Sequence, residues 1–314
     1  MSTILSLAAV LLTAVLLAAG WDRARAPGRT GLVVLSVLSV VAAVGVQVNR
    51  LTEIFPGVVG DKAGGSQLLR VTVPGALTLP MYVYLPAAYR TGADRYPVIT
   101  VFHGFPGTPE FWLRDLDAQS TLDREIAAGR MAPTVVLFPS QTPDALRDTE
   151  CTDLRDGPRA ETYLSADVPA FVKTHYRVRT DQAGWGLAGY SAGAFCAINL
   201  LLRHPDKYAA AASLSGYDAP GIDIGDGSQQ TTNNPLWRLR NLPQPPVALW
   251  LGWADDDLES ARESRALVAA ARTPLSATTA VVERGGHNST VWRLMEAPAF
   301  DWLSAQLARP LTPA

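Results

Sequence analysis

Apolar residues follow two different patterns, one before and one after residue 50. Thr3–Gly20 and Gly31–Val48 contain no charged side chain, and each is close to the minimum of about 17–25 apolar residues that a helix needs to cross a bilayer. The polar stretch between them carries three arginines, and such residues are retained on the cytoplasmic side. The pattern predicts a transmembrane helical hairpin over residues 1–49. Residues 3–20 and 31–48 would contact the lipid bilayer, and the rest of the chain would lie outside the cell membrane.

Two other interpretations of this region stay open. The first segment could be a cleaved signal peptide, although Met1-Ser2-Thr3 lacks the basic residues with which such a peptide begins. Both segments could instead be buried core helices, which usually carry a polar face. Residues 50–68 are rich in glycine and polar side chains and are predicted to be a linker. The remaining residues, 69–314, are predicted to form one domain.

In that domain, short apolar runs alternate with longer runs of helical character. Strands that alternate with helices predict an α/β fold, with a mostly parallel eight-stranded sheet covered on both faces. The first two runs follow each other without a helix, so we expect an antiparallel edge. The predicted strands are Leu69–Val73, Met81–Leu85, Val98–His103, Thr134–Phe138, Gly184–Gly189, Ala211–Leu214, Val247–Gly252 and Thr278–Val282. The predicted helices are Leu122–Ala128, Tyr163–Thr174, Ala194–Arg203, Ala261–Ala271 and Pro298–Leu307.

Composition narrows the class of protein. The 314 residues are 48% apolar and 18% charged, which suffices for a sizeable core, and the net charge of −2 gives no sign of nucleic-acid binding. The two cysteines, Cys151 and Cys196, are predicted to form a disulfide if the domain lies in an oxidising compartment, and otherwise are free thiols. No metal site is predicted, because Cys-x-x-Cys spacing and clustered histidines are absent. The oligomeric state cannot be predicted.

The pentapeptide Gly189-Tyr190-Ser191-Ala192-Gly193 carries the strongest chemical signal. It lies between an apolar run and a run of helix formers, the context in which G-x-S-x-G predicts a nucleophile elbow. Such a turn presents the serine hydroxyl above the sheet, and the flanking glycines avoid collisions with neighbouring elements. We expect Ser191 to be a nucleophile and Tyr190 to help bind substrate.

A serine hydroxyl needs an adjacent base to act as a nucleophile. His287 is the best candidate, because it follows the last predicted strand, and loops after strands carry active-site groups in open α/β sheets. Gly285 and Gly286 precede it and allow a turn towards Ser191. The other three histidines are given different roles: His103 near the site, and His175 and His204 as structural residues.

A carboxylate should orient the imidazole. Asp255, Asp256 and Asp257 follow the predicted strand Val247–Gly252. These residues could also cap the next helix. We expect one of the three to be the orienting acid, with Asp255 preferred and Asp257 the second choice. Either choice gives the chain order Ser, Asp, His.

The developing oxyanion needs preorganised N–H donors. One is predicted at Ala192, directly after the nucleophile, and the other at Phe105, in the glycine-rich loop after the third strand. The Phe105 ring could also border the substrate. A long polar segment, Tyr217–Pro246, is predicted to overhang the site. Within it, Trp237 could bind an acyl or sugar group, or could simply anchor the segment together with Leu236.

Taken together, these motifs resemble the putative-esterase family of α/β-hydrolases, which includes S-formylglutathione hydrolases, feruloyl esterases and the mycobacterial antigen 85 mycolyltransferases. The similarity covers roughly residues 69–308, and an actinobacterial subgroup with N-terminal membrane helices is the most similar. The matching pieces are His103-Gly104-Phe105, Asp148-Thr149-Glu150-Cys151, Gly189–Gly193 with Cys196, Leu214-Ser215-Gly216-Tyr217, Gly252-Trp253-Ala254-Asp255 and Gly285-Gly286-His287.

The resemblance implies an α/β-hydrolase fold, a Ser-His-Asp/Glu triad and no cofactor. We therefore expect a membrane-anchored serine ester hydrolase that acts on a small-molecule or lipid ester. Acyl transfer to a sugar such as trehalose is an alternative within the same chemistry. A non-catalytic envelope-binding module and a peptidase are alternatives of other classes.

Overall fold

A computed structural model describes residues 13–15, 26–52, 65–144 and 146–313. The chain divides into two compact units, Met1–Phe55 and Pro56–Ala314. In the first unit, helix α1 (Ala26–Thr52) covers the second uncharged segment. Most of the first segment lies outside the described residues. In the described part of the chain, no helix combines the length and apolar character required for a membrane crossing.

The second unit is built on one sheet. Among the described residues, eight strands pair in the order β1-β2-β4-β3-β5-β6-β7-β8. The pairs β1–β2 and β2–β4 are antiparallel and all others are parallel, which confirms the predicted antiparallel edge and mostly parallel sheet. The strands are β1 (Gln67–Val73), β2 (Leu79–Leu85), β3 (Val98–Phe102), β4 (Val135–Pro139), β5 (Trp185–Tyr190), β6 (Ala210–Leu214), β7 (Ala248–Ala254) and β8 (Ser276–Val282).

Helices cover both faces of this sheet. They are α2 (Glu110–Arg114), α3 (Ala118–Ala127), α4 (Ala160–Thr162), α5 (Val168–His175), α6 (Ala192–Arg203), α7 (Pro235–Asn241), α8 (Leu258–Ala270) and α9 (Ser289–Gln306), with a π-helical turn at Tyr163–Asp167. Short 3₁₀ turns occur at Ala87–Arg90, Gln182–Gly184 and Ser228–Gln230. The last helix begins well before Pro298, where we expected it to start. Asn288 caps it by accepting a hydrogen bond from the Thr290 N–H.

The core has one layer on each side of the sheet. On one side, Leu137 and Leu187 pack with Leu200 of α6 and Leu267 of α8. On the other side, Ile99 and Trp250 pack with Trp112 of α2 and Phe300 of α9. Strands β3 to β7 are buried along their whole length, as expected for parallel strands covered on both faces. The carboxyl ends of β5, β7 and β8 therefore meet at one edge of a rigid scaffold.

Candidate active site

Ser191 lies on a strained turn between β5 and α6. Its φ is 55° and its ψ is −124°, a conformation that non-glycine residues rarely adopt. Its N–H donates to Leu214 O at 3.0 Å. A Cβ at Gly189 would lie 2.0 Å from Gly193 O, and one at Gly193 would lie 2.2 Å from Phe102 O. Only glycine at these two positions lets helix α6 approach β3 and β5 closely enough to form the elbow.

His287 reaches Ser191 from the loop after β8. The distance from His287 Nε2 to Ser191 Oγ is 2.8 Å, within hydrogen-bonding range. Gly286 has a φ of 68°, and Gly285 would carry a Cβ only 2.3 Å from Val291 Cγ2. The two glycines therefore shape the turn that presents the imidazole, as the sequence predicted.

The carboxylate in contact with His287 is that of Asp257, not that of Asp255. Asp257 Oδ2 lies 2.7 Å from His287 Nδ1. The Asp255 carboxylate instead forms an ion pair with Arg265 at 2.5 Å and accepts a hydrogen bond from Trp253 Nε1. The preference for Asp255 is thus corrected by geometry, because its side chain points towards helix α8 rather than towards the histidine.

Asp256 holds the two loops together. Its carboxylate accepts hydrogen bonds from the backbone N–H groups of Gly285, at 3.0 and 3.1 Å, and of Gly286, at 2.9 Å. These bonds lower the pKa of Asp256 below its ordinary value, because they favour the charged form. The three neighbouring aspartates thus have three separate partners, and Asp256 fixes the turn from which His287 projects.

The predicted oxyanion donors flank Ser191. A Cβ at Gly104, next to Phe105, would lie 3.2 Å from Ser191 Cβ, so the loop after β3 contacts the nucleophile. Phe105 is half-buried and precedes a cis peptide bond to Pro106. Ala192 is the first residue of α6, and the N–H at that position has no partner within a helix.

His103 stabilises this loop from inside the protein. It is buried, its Nδ1 lies 2.8 Å from Gly104 O, and Gln141 Nε2 donates to its carbonyl oxygen at 3.1 Å. Burial lowers the pKa of His103 to about 4, so its ring is neutral near pH 7. Gln141 has no sequence signal, since only the fold brings it beside the loop.

The other histidines lie elsewhere. His204 ends α6, and its Nε2 lies 2.8 Å from Glu161 Oε1. His175 is at the end of α5 and stacks on Phe171, with ring centroids 4.1 Å apart. Both positions agree with the structural roles that the sequence indicated.

A cavity of about 660 Å³ opens beside Ser191. The predicted overhanging segment contributes to it, but through its first residues and not through Trp237. Trp237 lies on helix α7 and is not among the residues that line the cavity, and the adjacent Leu236 packs against the core. Four carboxylic acids and one histidine are among the lining residues. The cavity is lined by Glu150, Ser191, Tyr217, Ala219, Pro220, Gly221, Asp257, Glu259, Ser260, Glu263 and His287.

Tyr190 does not line the cavity either. It is buried and stacks on Trp292, with ring centroids 4.5 Å apart, and it also packs against Phe111. Trp292 in turn meets the His287 ring edge to face at 5.2 Å. Tyr190, which we expected to help bind substrate, is thus buried in an aromatic packing contact.

The predicted disulfide is present. Cys151 and Cys196 are bonded, which ties the loop after β4 to helix α6, the helix that begins directly after Ser191. Among the described residues, no three His, Cys, Asp or Glu side chains are arranged so that they could hold a metal ion.

Ser191, His287 and Asp257 are joined in series by contacts of 2.8 and 2.7 Å, which is the arrangement of side chains found in a Ser-His-Asp triad. The model of the family described as Putative esterase matches residues 78–306, and the chain belongs to this family.

Similar proteins extend the comparison. An uncharacterized protein of Corynebacterium glutamicum is 28% identical over 240 residues, which is 71% of this chain and 56% of that protein. A ferulic acid esterase structure matches with a TM-score of 0.69 at 20% identity, covering 77% of this chain and 99% of that one. An S-formylglutathione hydrolase from Agrobacterium tumefaciens matches with a TM-score of 0.67 at 14% identity, covering 81% and 100%. The α/β-hydrolase fold is therefore shared with these structures. The chain spans just over half the length of the Corynebacterium relative.

Proposed function

We propose that this protein is a serine carboxylic-ester hydrolase whose triad is Ser191, His287 and Asp257. The observation that carries the proposal is the continuous chain of contacts from Ser191 Oγ to His287 Nε2 at 2.8 Å and from His287 Nδ1 to Asp257 Oδ2 at 2.7 Å. A serine hydroxyl is activated when a base lies within hydrogen-bonding reach and a third group orients that base.

The reaction follows from this geometry. Ser191 Oγ attacks the ester carbonyl while His287 Nε2 takes its proton, and Asp257 stabilises the imidazolium. The backbone N–H groups of Ala192 and Phe105 would bind the oxyanion. The alcohol leaves with the proton from His287, and an acyl-Ser191 ester remains. Water, deprotonated by His287, then attacks this ester and releases the carboxylic acid.

The acyl group could also pass to a sugar hydroxyl instead of water. The cavity of about 660 Å³ beside Ser191 has room for a second small molecule, and its carboxylates can accept hydrogen bonds from hydroxyl groups. Adding trehalose to the assay distinguishes the two outcomes. An acylated sugar would show transferase activity, whereas free acid alone would show hydrolysis.

The test uses the full chain and p-nitrophenyl butyrate, a neutral ester. Ser191→Ala should reduce kcat/KM by a factor of roughly 10⁴ or more, the usual cost of removing a triad nucleophile. Ser276→Ala is the matched control, because Ser276 is an exposed serine at the start of β8, and it should leave the rate unchanged. Equal rates for both variants would refute the assignment and favour a binding module that merely retains the fold.

The proposal includes attachment to a membrane, with the catalytic domain on the extracytoplasmic side. Its support is the lack of charge in residues 3–20 and 31–48, together with exposed apolar side chains on α1 such as Leu38 and Val41. The Cys151–Cys196 disulfide is also typical of an oxidising compartment. Alkaline extraction of membranes should leave the full chain in the pellet and release a chain that begins at residue 56. Release of both would contradict the attachment.

A further inference from the structure

A buried carboxylate that the proposed reaction does not use lies in the wall of the catalytic cavity. Glu150 lines the cavity beside Ser191, yet the residue is only 3% exposed. Its backbone has a φ of 43°, which L-residues adopt only when surrounding contacts impose it. Charged groups are rarely buried without partners, so the bonds that Glu150 makes should indicate its role.

Both principal partners of Glu150 come from the segment that follows β6. Tyr217 OH donates to Glu150 Oε1 at 2.7 Å. The Gly221 N–H donates to Oε1 at 3.0 Å and to Oε2 at 2.9 Å. We call residues 217–221 the pocket wall, because Tyr217, Ala219, Pro220 and Gly221 all line the cavity. The Glu150 carboxylate thus accepts hydrogen bonds from both the first and the last residue of the pocket wall.

Glu150 is itself held to the helix that carries the nucleophile. The next residue, Cys151, is bonded to Cys196 of α6. Phe195, also on α6, stacks on the Tyr217 ring with centroids 5.1 Å apart and an interplanar angle of 11°. The disulfide and the aromatic stack fix the two ends of the Glu150–Tyr217 bond to the same helix. The position of the wall relative to Ser191 therefore depends on this bond.

We propose that Glu150 is a positioning residue that holds the pocket wall beside Ser191 and thereby sets how tightly the enzyme binds its ester. It takes no part in proton transfer, which belongs to His287. The inference rests on the proposed ester hydrolysis, because it concerns the affinity of that same site. Replacing Glu150 should therefore change KM, whereas kcat should depend on the triad residues.

The charge state of Glu150 gives this role a pH dependence. Burial raises its pKa to about 7, although hydrogen bonds from Tyr217 and Gly221 oppose the shift, and the nearby Asp148 adds to it. The other titratable groups that line the cavity are Asp257, Glu259, Glu263 and His287.

Only the ionised carboxylate offers both oxygens as acceptors. A protonated Glu150 would turn one oxygen into a donor and lose a bond to the wall. KM for a neutral ester should therefore fall as the pH rises through about 7.

The experiment measures kcat and KM separately for the full chain with p-nitrophenyl butyrate between pH 6 and 8. Glu150→Gln should raise KM at pH 8 by roughly 5–20-fold, the cost of weakening a hydrogen bond to a charged group, while kcat stays within about threefold. Its KM should no longer depend on pH. Tyr217→Phe keeps the ring on Phe195 and removes only the hydroxyl, so it tests the same bond even if Glu150→Gln folds poorly.

The effects of the two changes on KM should be less than additive in the double variant, because both act on the Tyr217–Glu150 bond. An unchanged KM in Glu150→Gln and Tyr217→Phe would overturn the positioning role and leave the ester hydrolase intact. A fall in kcat at constant KM would overturn it as well. Absence of Ser191-dependent hydrolysis in the parent chain would refute the proposed function itself, and with it this inference.

Discussion

Glu150 and Asp257 both line the cavity beside Ser191, and their hydrogen-bond partners give them different roles. Asp257 follows β7 at the carboxyl edge of the sheet, and its carboxylate meets His287 Nδ1 at 2.7 Å. Glu150 lies in the loop after β4 and is bonded by a tyrosine hydroxyl and a backbone N–H. Asp257 can orient and stabilise a base, whereas the carboxylate of Glu150 accepts hydrogen bonds from a hydroxyl and a backbone N–H and in this way holds structure.

The comparison shows that partners, and not residue type, assign a carboxylate its role. The same rule separates Asp255, Asp256 and Asp257, which are adjacent in the chain and bind an arginine, two backbone N–H groups and a histidine. A variant of each acid therefore tests one partner at a time.

The largest difference in kcat is expected between variants of Asp257 and variants of Asp255. Asp257→Asn should lower kcat on the order of 10²–10⁴-fold, because the amide no longer stabilises the imidazolium and favours the wrong tautomer. Asp255→Asn should stay within about threefold, since it affects an exposed ion pair with Arg265 and a hydrogen bond from Trp253 Nε1 and leaves the contact to His287 intact. Steady-state kinetics on both variants measure this difference. A larger loss in Asp255→Asn would return the acid role to that residue.

The next largest effect is expected from the disulfide, which contributes to the stability of the fold. Its Cys151 is adjacent to Glu150. It joins cysteines separated by 45 positions, for which loop entropy gives a stabilisation of about 4 kcal/mol. Replacing both cysteines by alanine should lower the free energy of unfolding by about this amount, measured by urea titration of the full chain. Reductant should then have no further effect on the variant. A variant as stable as the parent would show that the loop is held by other contacts.

The elements that sequence predicted best are those whose signal is local. All eight strands lie within two residues of their predicted bounds. For β3 to β7 the reason is that buried parallel strands are continuous apolar runs. Ser191 and His287 were predicted for a similar reason, since their glycines act on the adjacent backbone.

The features of the site that the sequence did not predict depend on contacts between distant segments of the chain. The preference for Asp255 over Asp257 did not take account of Arg265, the ion-pair partner of Asp255, which lies ten residues ahead. The two roles left open for Trp237 could not be separated, because they depend on where a short helix capped by Asn234 places it, and it does not line the cavity. The role of Glu150 requires Tyr217, which is 67 residues away. Such pairings are set by tertiary structure and leave no periodic trace in the chain.

The pH dependence of the free energy of unfolding should also report on the buried carboxyl of Glu150. The pKa of Glu150 is raised from 4.5 to about 7, so this group contributes stability that is fully present below 4.5 and is lost as the pH rises through about 7. The loss is at most roughly 3 kcal/mol. Glu150→Gln should flatten the fall in stability between these pH values, measured by urea titration. Burial also raises the pKa of Asp148, so this residue contributes a slope of the same sign that remains in the variant. An unchanged slope would place the Glu150 carboxyl in contact with water.

The smallest expected effect is a preference for uncharged esters. Glu150, Asp257, Glu259 and Glu263 all line the cavity, and each negative charge repels an anionic substrate by about 1 kcal/mol or less when water is present. A hemisuccinate ester should therefore show a kcat/KM roughly 3–10-fold below that of the butyrate ester, and added salt should narrow the difference. Glu263→Gln should reduce the discrimination. Equal rates at low salt would mean that the acids are screened from the substrate.

Covalent labelling of the full chain with a fluorophosphonate tests most directly whether Ser191 is activated by His287 and Asp257. Intact mass and peptide mapping should show one adduct, on Ser191. The rate of labelling should fall steeply in His287→Ala and in Asp257→Asn, and should be retained in Asp255→Asn and Glu150→Gln. A folded protein that gives no adduct, or that labels equally fast without His287, would contradict the triad and the enzymatic role derived from it.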